Sequence, residues 1–338
     1  MYVDIIDTLN SIISIMNRIV PLILLIIGTF GHTWNLLILS KKAQRRNPTA
    51  LCFLATTIAN IIALYFGMFI RYLQDVSNID LIDNYPIICK LRSFVVYLFI
   101  SLSNWYIVLA VIDRYLISSS ENDQRRLSSM KNAYVSIGFI TIFLTVAYCH
   151  IPLFYNIHSS TCTALPGSYR LFNDIQTLIQ FSLLPPLLML FFGLLTLRNI
   201  RLTHRRVANL NSIRLRQRDI QLSKMLFLQV IITIVCSLPL IVTQLMSTMT
   251  TTMVKSPLRL TIELFASQVS RHLAFLNCSI SFYLYTLSGS QFRLEIQQMV
   301  NRFLTVLQHR TIPTNTSTTP NRTGTTTKRN KTAVSPYY

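Results

Sequence analysis

Three groups of polar residues interrupt a chain that is otherwise apolar. Asp113, Arg114 and Tyr115 close a long hydrophobic run, "VLAVIDRYL". A guanidinium at such a place can pair with a carboxylate on another helix and later give that partner up to a bound protein. Asp219 is a candidate for the partner. It is the single acidic residue of a very basic stretch, "RLRQRDIQLSK", 20 residues before Pro239. Its alternative role is to complement the amino terminus of its own helix. Asp113, next to Arg114, is expected to restrain it from one side. The second group is Cys89 and Cys162, which can form a disulfide in an oxidising compartment. The third is Gln244, Arg271 and His272. Arg271 is costly to bury unpaired, so it either meets an anionic ligand group or pairs with Glu263.

None of this resembles catalytic machinery. There is no phosphate-binding glycine loop, no nucleophile elbow and no paired metal-ligand motif. The expectation is no enzyme, no catalytic residue, no cofactor and no metal.

The elements that must position these residues are membrane helices. The chain has 338 residues, 51% of them hydrophobic and 13% charged, where a soluble domain carries about a quarter charged residues. The apolar residues fall into blocks long enough to cross ~30 Å of hydrocarbon, which takes about 20 residues. Seven can be marked: 19–39, 50–72, 93–117, 133–155, 173–197, 224–247 and 261–287. The count drops to six if the last, with Glu263, Arg271 and His272, lies on the surface. The fold class expected is all-α: a seven-transmembrane helix bundle.

Charge orients it. If the amino terminus is extracellular, 23 of the 31 Lys and Arg residues lie in cytoplasmic segments, as the positive-inside rule requires. The excess charge is then explained by anionic membrane lipid, and no nucleic acid is expected as a partner. Residues 1–18 form a short extracellular amino terminus, without the basic start of a signal peptide. Cys89 and Cys162 lie on the same outer side, while Cys52, Cys149, Cys236 and Cys278 fall in apolar blocks and are read as buried. Arg114 comes 25 residues after Cys89, about 37 Å of helix, which puts it at the cytoplasmic rim. Pro239 bends block six, Pro185 and Pro186 bend block five, and Pro152 lies near the outer end of block four.

Residues 288–310 carry Phe292, Ile296, Met299, Val300, Phe303 and Leu307 at helical spacing, the pattern of an amphipathic eighth helix along the membrane surface. Residues 311–338 are a polar, threonine-rich cytoplasmic tail of disordered composition, whose threonines could be phosphorylated.

From residue 19 to about 307 the chain resembles the rhodopsin-like (class A) family of G-protein-coupled receptors. "GHTWNLLIL" resembles the family's Gly–Asn helix, with Asn35 at the key position. Asp113–Tyr115 stand as the family's Asp-Arg-Tyr, with Trp105 nine residues before Arg114. "CSLP" resembles Cys-Trp-Leu-Pro, and "NCSISFYLY" resembles the helix-seven motif, with Asn277 first and Tyr285 last. Asn60 stands where the family usually has a sodium-binding aspartate, Ser237 replaces the toggle tryptophan, and Ser281–Phe282 replace Asn-Pro. What the resemblance implies is a divergent plasma-membrane receptor that activates a heterotrimeric G protein through movement of helix six. Its coupling and switch residues would be Asp113, Arg114, Tyr115, Asp219, Pro239 and Tyr285. Asn35, Asn60, Trp105 and Asn277 would be structural. Arrestin would be a possible partner of the tail. Val96 at the amine-binding position argues against a biogenic amine, and Phe275 argues against retinal. Val96, Gln244, Arg271 and His272 are the candidate pocket residues, and a short peptide is the expected ligand. The rival readings are a transporter or channel and a non-signalling decoy.

Overall fold

Block one becomes the second half of a single helix, α1 (Tyr2–Leu39). At 1.5 Å per residue its 38 residues span about 57 Å. Residues 2–18 of the expected amino-terminal segment 1–18 are therefore helical and continuous with the first membrane helix. The computed structural model describes residues 2–42, 44–77, 81–158, 161–204, 210–251 and 253–288, together with 297, 298 and 301; the side chains of 2, 45, 75, 77, 81, 203–226 and 285–288 lie outside that description. The amphipathic helix expected at 288–310 and the tail at 311–338 fall almost wholly outside it. Residues from Gln297 onward form a separate unit.

The remaining elements follow in order. α2 (Pro48–Leu64) and α3 (Ile70–Ser77) are joined by one π-turn, Tyr65–Phe69. A short α4 (Leu81–Asn84) leads to α5 (Pro86–Ser118), and α6 (Asn122–Leu127) to α7 (Met130–Tyr148). After α8 (Ile151–Phe154), strands β1 (Tyr155–His158) and β2 (Thr161–Ala164) form an antiparallel hairpin, with Tyr155 opposite Ala164 and Ile157 opposite Cys162. α9 (Ser168–Thr177) passes through a second π-turn, Leu178–Leu183, into α10 (Leu184–His204). α11 (Leu210–Met249) contains Pro239, and α12 (Pro257–Ser288) is the last helix of the bundle. Pro152 begins the short α8, and Pro185 and Pro186 begin α10 just after its π-turn, so each proline sits where the helical hydrogen-bond ladder has already been broken.

Six of the long helices are long and apolar enough to cross a membrane by themselves. α12 is not among them, and its composition shows why. Ser270, Asn277, Ser279 and Ser281 are buried on the sides packed against its neighbours, while Leu260, Ile262 and Leu264 stay exposed. It packs along α1 and α11. Its polar residues lower its mean hydropathy because they face the bundle, so the alternative of a surface segment does not hold. Outward faces show the opposite pattern. On α7, Val135, Phe139, Ile142 and Val146 form an exposed apolar stripe at helical spacing, as hydrocarbon contact requires. Cys149, read as buried, is exposed at the end of this helix.

α5 is the central helix and contacts α2, α7 and α10. Leu39, Cys52, Phe53, Ile107, Val111 and Met189 fill one end of the core. Leu102, Tyr106, Leu144, Tyr148 and Ile151 fill the region beneath the hairpin. Gly67 lets helices approach: a methyl group added there would lie 2.2 Å from the Phe275 ring. Gly167, with φ of 98°, makes the left-handed turn into α9.

Cys89 and Cys162 are bonded, tying the first turn of α5 to β2 with Cα atoms 5.6 Å apart. The Cys162 amide also donates to Asp83 Oδ1 at 2.8 Å, so α4, α5 and the hairpin form one assembly. Cys162→Ser should cost about 2–4 kcal/mol, seen as a lower Tm of the purified protein and reduced surface display. Unchanged display and Tm would mean that the Asp83 bond alone holds the hairpin.

Candidate functional site

The end of the bundle opposite the disulfide is built around the last turns of α5. Asp113 is buried there, 8% exposed. Its carboxylate accepts from the Thr49 hydroxyl in the first turn of α2 and from Ser128 Oγ, at 2.5 Å, in the segment between α6 and α7. These two hydroxyls satisfy it, so Asp113 joins three elements. Arg114 Nη2 donates to Asn47 Oδ1 at 3.3 Å. The same oxygen caps α2 by accepting the Thr49 amide at 3.1 Å. Arg114, Arg46, Asn47, Ile117, Arg125 and Ser128 line an open cleft of about 390 Å³. Tyr115 packs on Phe192 of α10, ring centroids 5.5 Å apart. Asp219 lies on α11 and Tyr285 on α12, but both side chains are outside the described ones, and so is the expected Arg114–Asp219 pair.

Towards the middle, polar side chains point inward. Asn277 Oδ1 accepts from Gln229 Nε2 at 3.2 Å and from Thr233 Oγ1 at 3.4 Å, tying α12 to α11. Asn60 Nδ2 donates to Ser281 Oγ at 3.4 Å. Asn35 is fully buried in α1, yet its amide reaches neither of them. The donors gathered here are amides and hydroxyls, without a carboxylate among the described residues. Such a neutral set is a poor sodium site, as Asn60 in place of the usual aspartate implies, because an amide dipole cannot neutralise the ion's charge.

The second π-turn is held by α5. Trp105 Nε1 donates to the Gln180 carbonyl at 3.0 Å, and Asn104 Nδ2 to the Phe181 carbonyl at 3.2 Å. A π-turn leaves carbonyls outside the α-helical ladder, and these two donors satisfy them. Ser182 Oγ then donates to the Ser237 carbonyl of α11 at 3.4 Å, two residues before Pro239. Trp105 thus serves as a tether between α5 and the irregular turn ahead of α10.

At the disulfide end a cavity of about 180 Å³ is lined by residues that include Arg71, Arg92, Val96, Tyr97, Gln244 and Arg271. The hairpin contributes Tyr155 and Cys162, and apolar Ile100, Phe181, Leu240 and Phe275 close it. Tyr155 lies outside the membrane helices; burial keeps its phenol well above the usual value, so it stays protonated and donates to Tyr97 Oη at 3.1 Å. Gln244 Nε2 reaches the same oxygen at 3.4 Å. Arg92 Nη2 donates to the Gly67 carbonyl, at 2.9 Å, within the first π-turn. Arg271 Nη1 donates to Gln268 Oε1 at 3.0 Å. The alternative partner, Glu263, is taken by Lys255 and by Arg259, the latter at 3.1 Å, so the Arg271–Glu263 pair does not form. His272 turns its Nδ1 to the Gln268 carbonyl at 2.7 Å and is not part of the cavity wall.

Three of the four residues expected in a pocket therefore line one: Val96, Gln244 and Arg271. Sequence reasoning missed Arg92 and Arg71 as a part of it, and missed Gln229 and Thr233 as the partners of Asn277. The i, i+4 spacing of Gln229 and Thr233 on an apolar helix was the available signal.

Compared with known protein families, residues 10–285 match the 7 transmembrane receptor family of the rhodopsin type. No curated protein matches the chain. The match covers the α1–α12 bundle, the disulfide-closed cavity and the Asp-Arg-Tyr end described above, and the chain belongs to the rhodopsin family of seven-transmembrane receptors.

Proposed function

We propose that this receptor sits in the plasma membrane with its disulfide end outside, takes a short peptide into the Arg71–Arg92–Arg271 cavity, and activates a heterotrimeric G protein through movement of α11. The charge asymmetry supports the orientation, since the connectors at the Arg114 end are the strongly basic ones. The observation that carries the coupling role is the cleft. Arg114 opens into it beside Arg46 and Arg125, and a cationic recess of that kind suits the carboxyl-terminal end of a partner helix, where the helix dipole is negative.

The lever is α11. At the disulfide end it is clamped to α9: Arg170 Nη2 donates to Ser247 Oγ at 3.0 Å, and Thr248 Oγ1 to Asp174 Oδ2 at 2.5 Å. Pro239 lies between that clamp and the Arg114 end. A helix held at one end and weakened in the middle moves most at the other end. Ligand contact at Gln244, five residues beyond Pro239, would load the same helix. With serine at 237, where the family has a bulky aromatic, the Ser182–Ser237 contact takes over the coupling of α11 to the π-turn. A phosphorylated tail would offer arrestin its anionic docking site.

Arg114→Ala should abolish nucleotide exchange on the G protein while surface display persists. Retained exchange would remove Arg114 from the role, and a chain silent towards every G protein in wild-type form would be a decoy. Asp219→Ala should raise exchange without ligand by severalfold; no rise would mean that no closing pair with Arg114 exists. Thr49→Val removes a hydrogen bond to the buried Asp113 carboxylate, worth about 1.5–3 kcal/mol, and should lower the Tm and raise ligand-free exchange. A Tm equal to wild type would show that Ser128 suffices.

A further inference from the structure

Placing a guanidinium inside a membrane bundle is costly unless an anion shares the site. The cavity at the disulfide end is bordered by Arg92 and Arg271 as well as Arg71, and among the described residues that line it there is no carboxylate. Arg71 and Arg92 are close enough to repel each other. The acid nearest to Arg92 by its electrostatic influence, Asp83, spends its oxygens on Gln74 Nε2 at 2.7 Å and the Cys162 amide at 2.8 Å. Arg92 itself bonds a backbone carbonyl, and its Nε is buried with no partner. Arg271 bonds one side-chain amide oxygen. Among the described residues both cations thus hydrogen-bond only to neutral acceptors, and both border the same space. Val96, Ile100, Phe181, Leu240, Ala274 and Phe275 supply the apolar part of the wall, and the hydroxyls and amide of Ser93, Tyr97, Ser101, Tyr155, Thr177 and Gln244 its neutral polar part.

From this we infer that the cavity binds a carboxylate that ends an apolar segment, held between Arg92 of α5 and Arg271 of α12 with the apolar group packed below. This deepens the proposed function and rests on its reading of the disulfide end as the ligand side. A carboxylate matches the planar fork of a guanidinium with two parallel hydrogen bonds. The size agrees: a cavity of about 180 Å³ is on the scale that takes up one benzene-sized apolar group, such as the side chain of a terminal residue. Two sources share this chemistry, the free carboxyl terminus of a peptide and a fatty acid. Gln244 leaves its amide oxygen buried and without a partner, which suits an N–H next to the carboxylate. A peptide's last residue has one; a fatty acid does not.

The test uses the full-length chain in nanodiscs and reads thermal stabilisation, which does not depend on a G protein. The probes are N-acetyl pentapeptides ending in Leu or Phe, each as the free acid and as the amide, with dodecanoic acid against dodecanol. The acids should raise Tm, and the amide and alcohol forms should not. Arg92→Gln and Arg271→Gln should each weaken the acid's apparent affinity by about tenfold or more, the loss of one charge-assisted pair. Arg271→Lys, which keeps the charge, should lose less than Arg271→Gln, and Arg259→Gln, outside the cavity, should bind as wild type. Stabilisation by the peptide acids alone assigns the site to a peptide terminus, and by dodecanoic acid alone to a fatty acid. Equal binding of acid and amide, undiminished binding in Arg271→Gln, or no stabilisation by any acid would overturn the inference. Ligand-free nucleotide exchange, measured in parallel, reports on the G-protein reading separately.

Discussion

Hydrocarbon offers a polar group nothing to bond, so every amide, hydroxyl and guanidinium in these helices has to find its partner inside the bundle. That constraint organises the molecule. It turns Asn60, Gln229, Thr233, Asn277 and Ser281 inward, gives Asp113 two hydroxyls from two other segments, and sends the lipid-facing side of α7 to Val135, Phe139 and Ile142. The polar interior gathers in groups at the arginine cavity, at the two π-turns, around Asn277 and at Asp113. In lipid the contacts of those groups rest on hydrogen bonding and close packing, since moving a leucine from lipid to the core gains little.

The two π-turns are where the constraint is used most directly. In a regular helix each interior carbonyl already accepts the amide four residues on. The turns at Tyr65–Phe69 and Leu178–Leu183 release carbonyls, and in each case α5 supplies the donor: Arg92 to Gly67, and Asn104 and Trp105 to Phe181 and Gln180. One helix therefore fixes the irregular points of two others. Arg92 has a double function in consequence, since it caps a turn and borders the cavity. A change at the cavity that moved Arg92 would also release the Gly67 carbonyl, and that links occupancy of the site to the shape of the α2–α3 region.

Much of this was legible in the residues. The seven blocks emerge because a membrane helix must be long and apolar, and the structure places a helix over each. Cys89 and Cys162 were legible as a pair since both lie outside the apolar runs, Cys89 just before block three and Cys162 in the segment between blocks four and five. The hairpin was not legible, because 155–164 is short and polar and is held as strands by its own pairing and the disulfide. The π-turns left no local signal either, since they depend on donors some 25 or 75 residues away. His272, expected beside Arg271, turns its ring to the Gln268 carbonyl and leaves the wall to Arg271, Ala274 and Phe275. The Arg271–Glu263 alternative fell because Lys255 and Arg259 lie closer to that acid in space.

The central claim is that the arginine cavity and the Arg114 cleft face opposite sides of one membrane, with the cavity outside. Single cysteines at exposed Pro166, beside the hairpin, and at exposed Ser120, next to the end of α5, test it with a membrane-impermeant maleimide, using the wild-type chain as the background for its free cysteines. Pro166→Cys is expected to label in intact cells, and Ser120→Cys only after permeabilisation. Labelling of Ser120→Cys in intact cells, or of both positions under the same condition, would contradict the account.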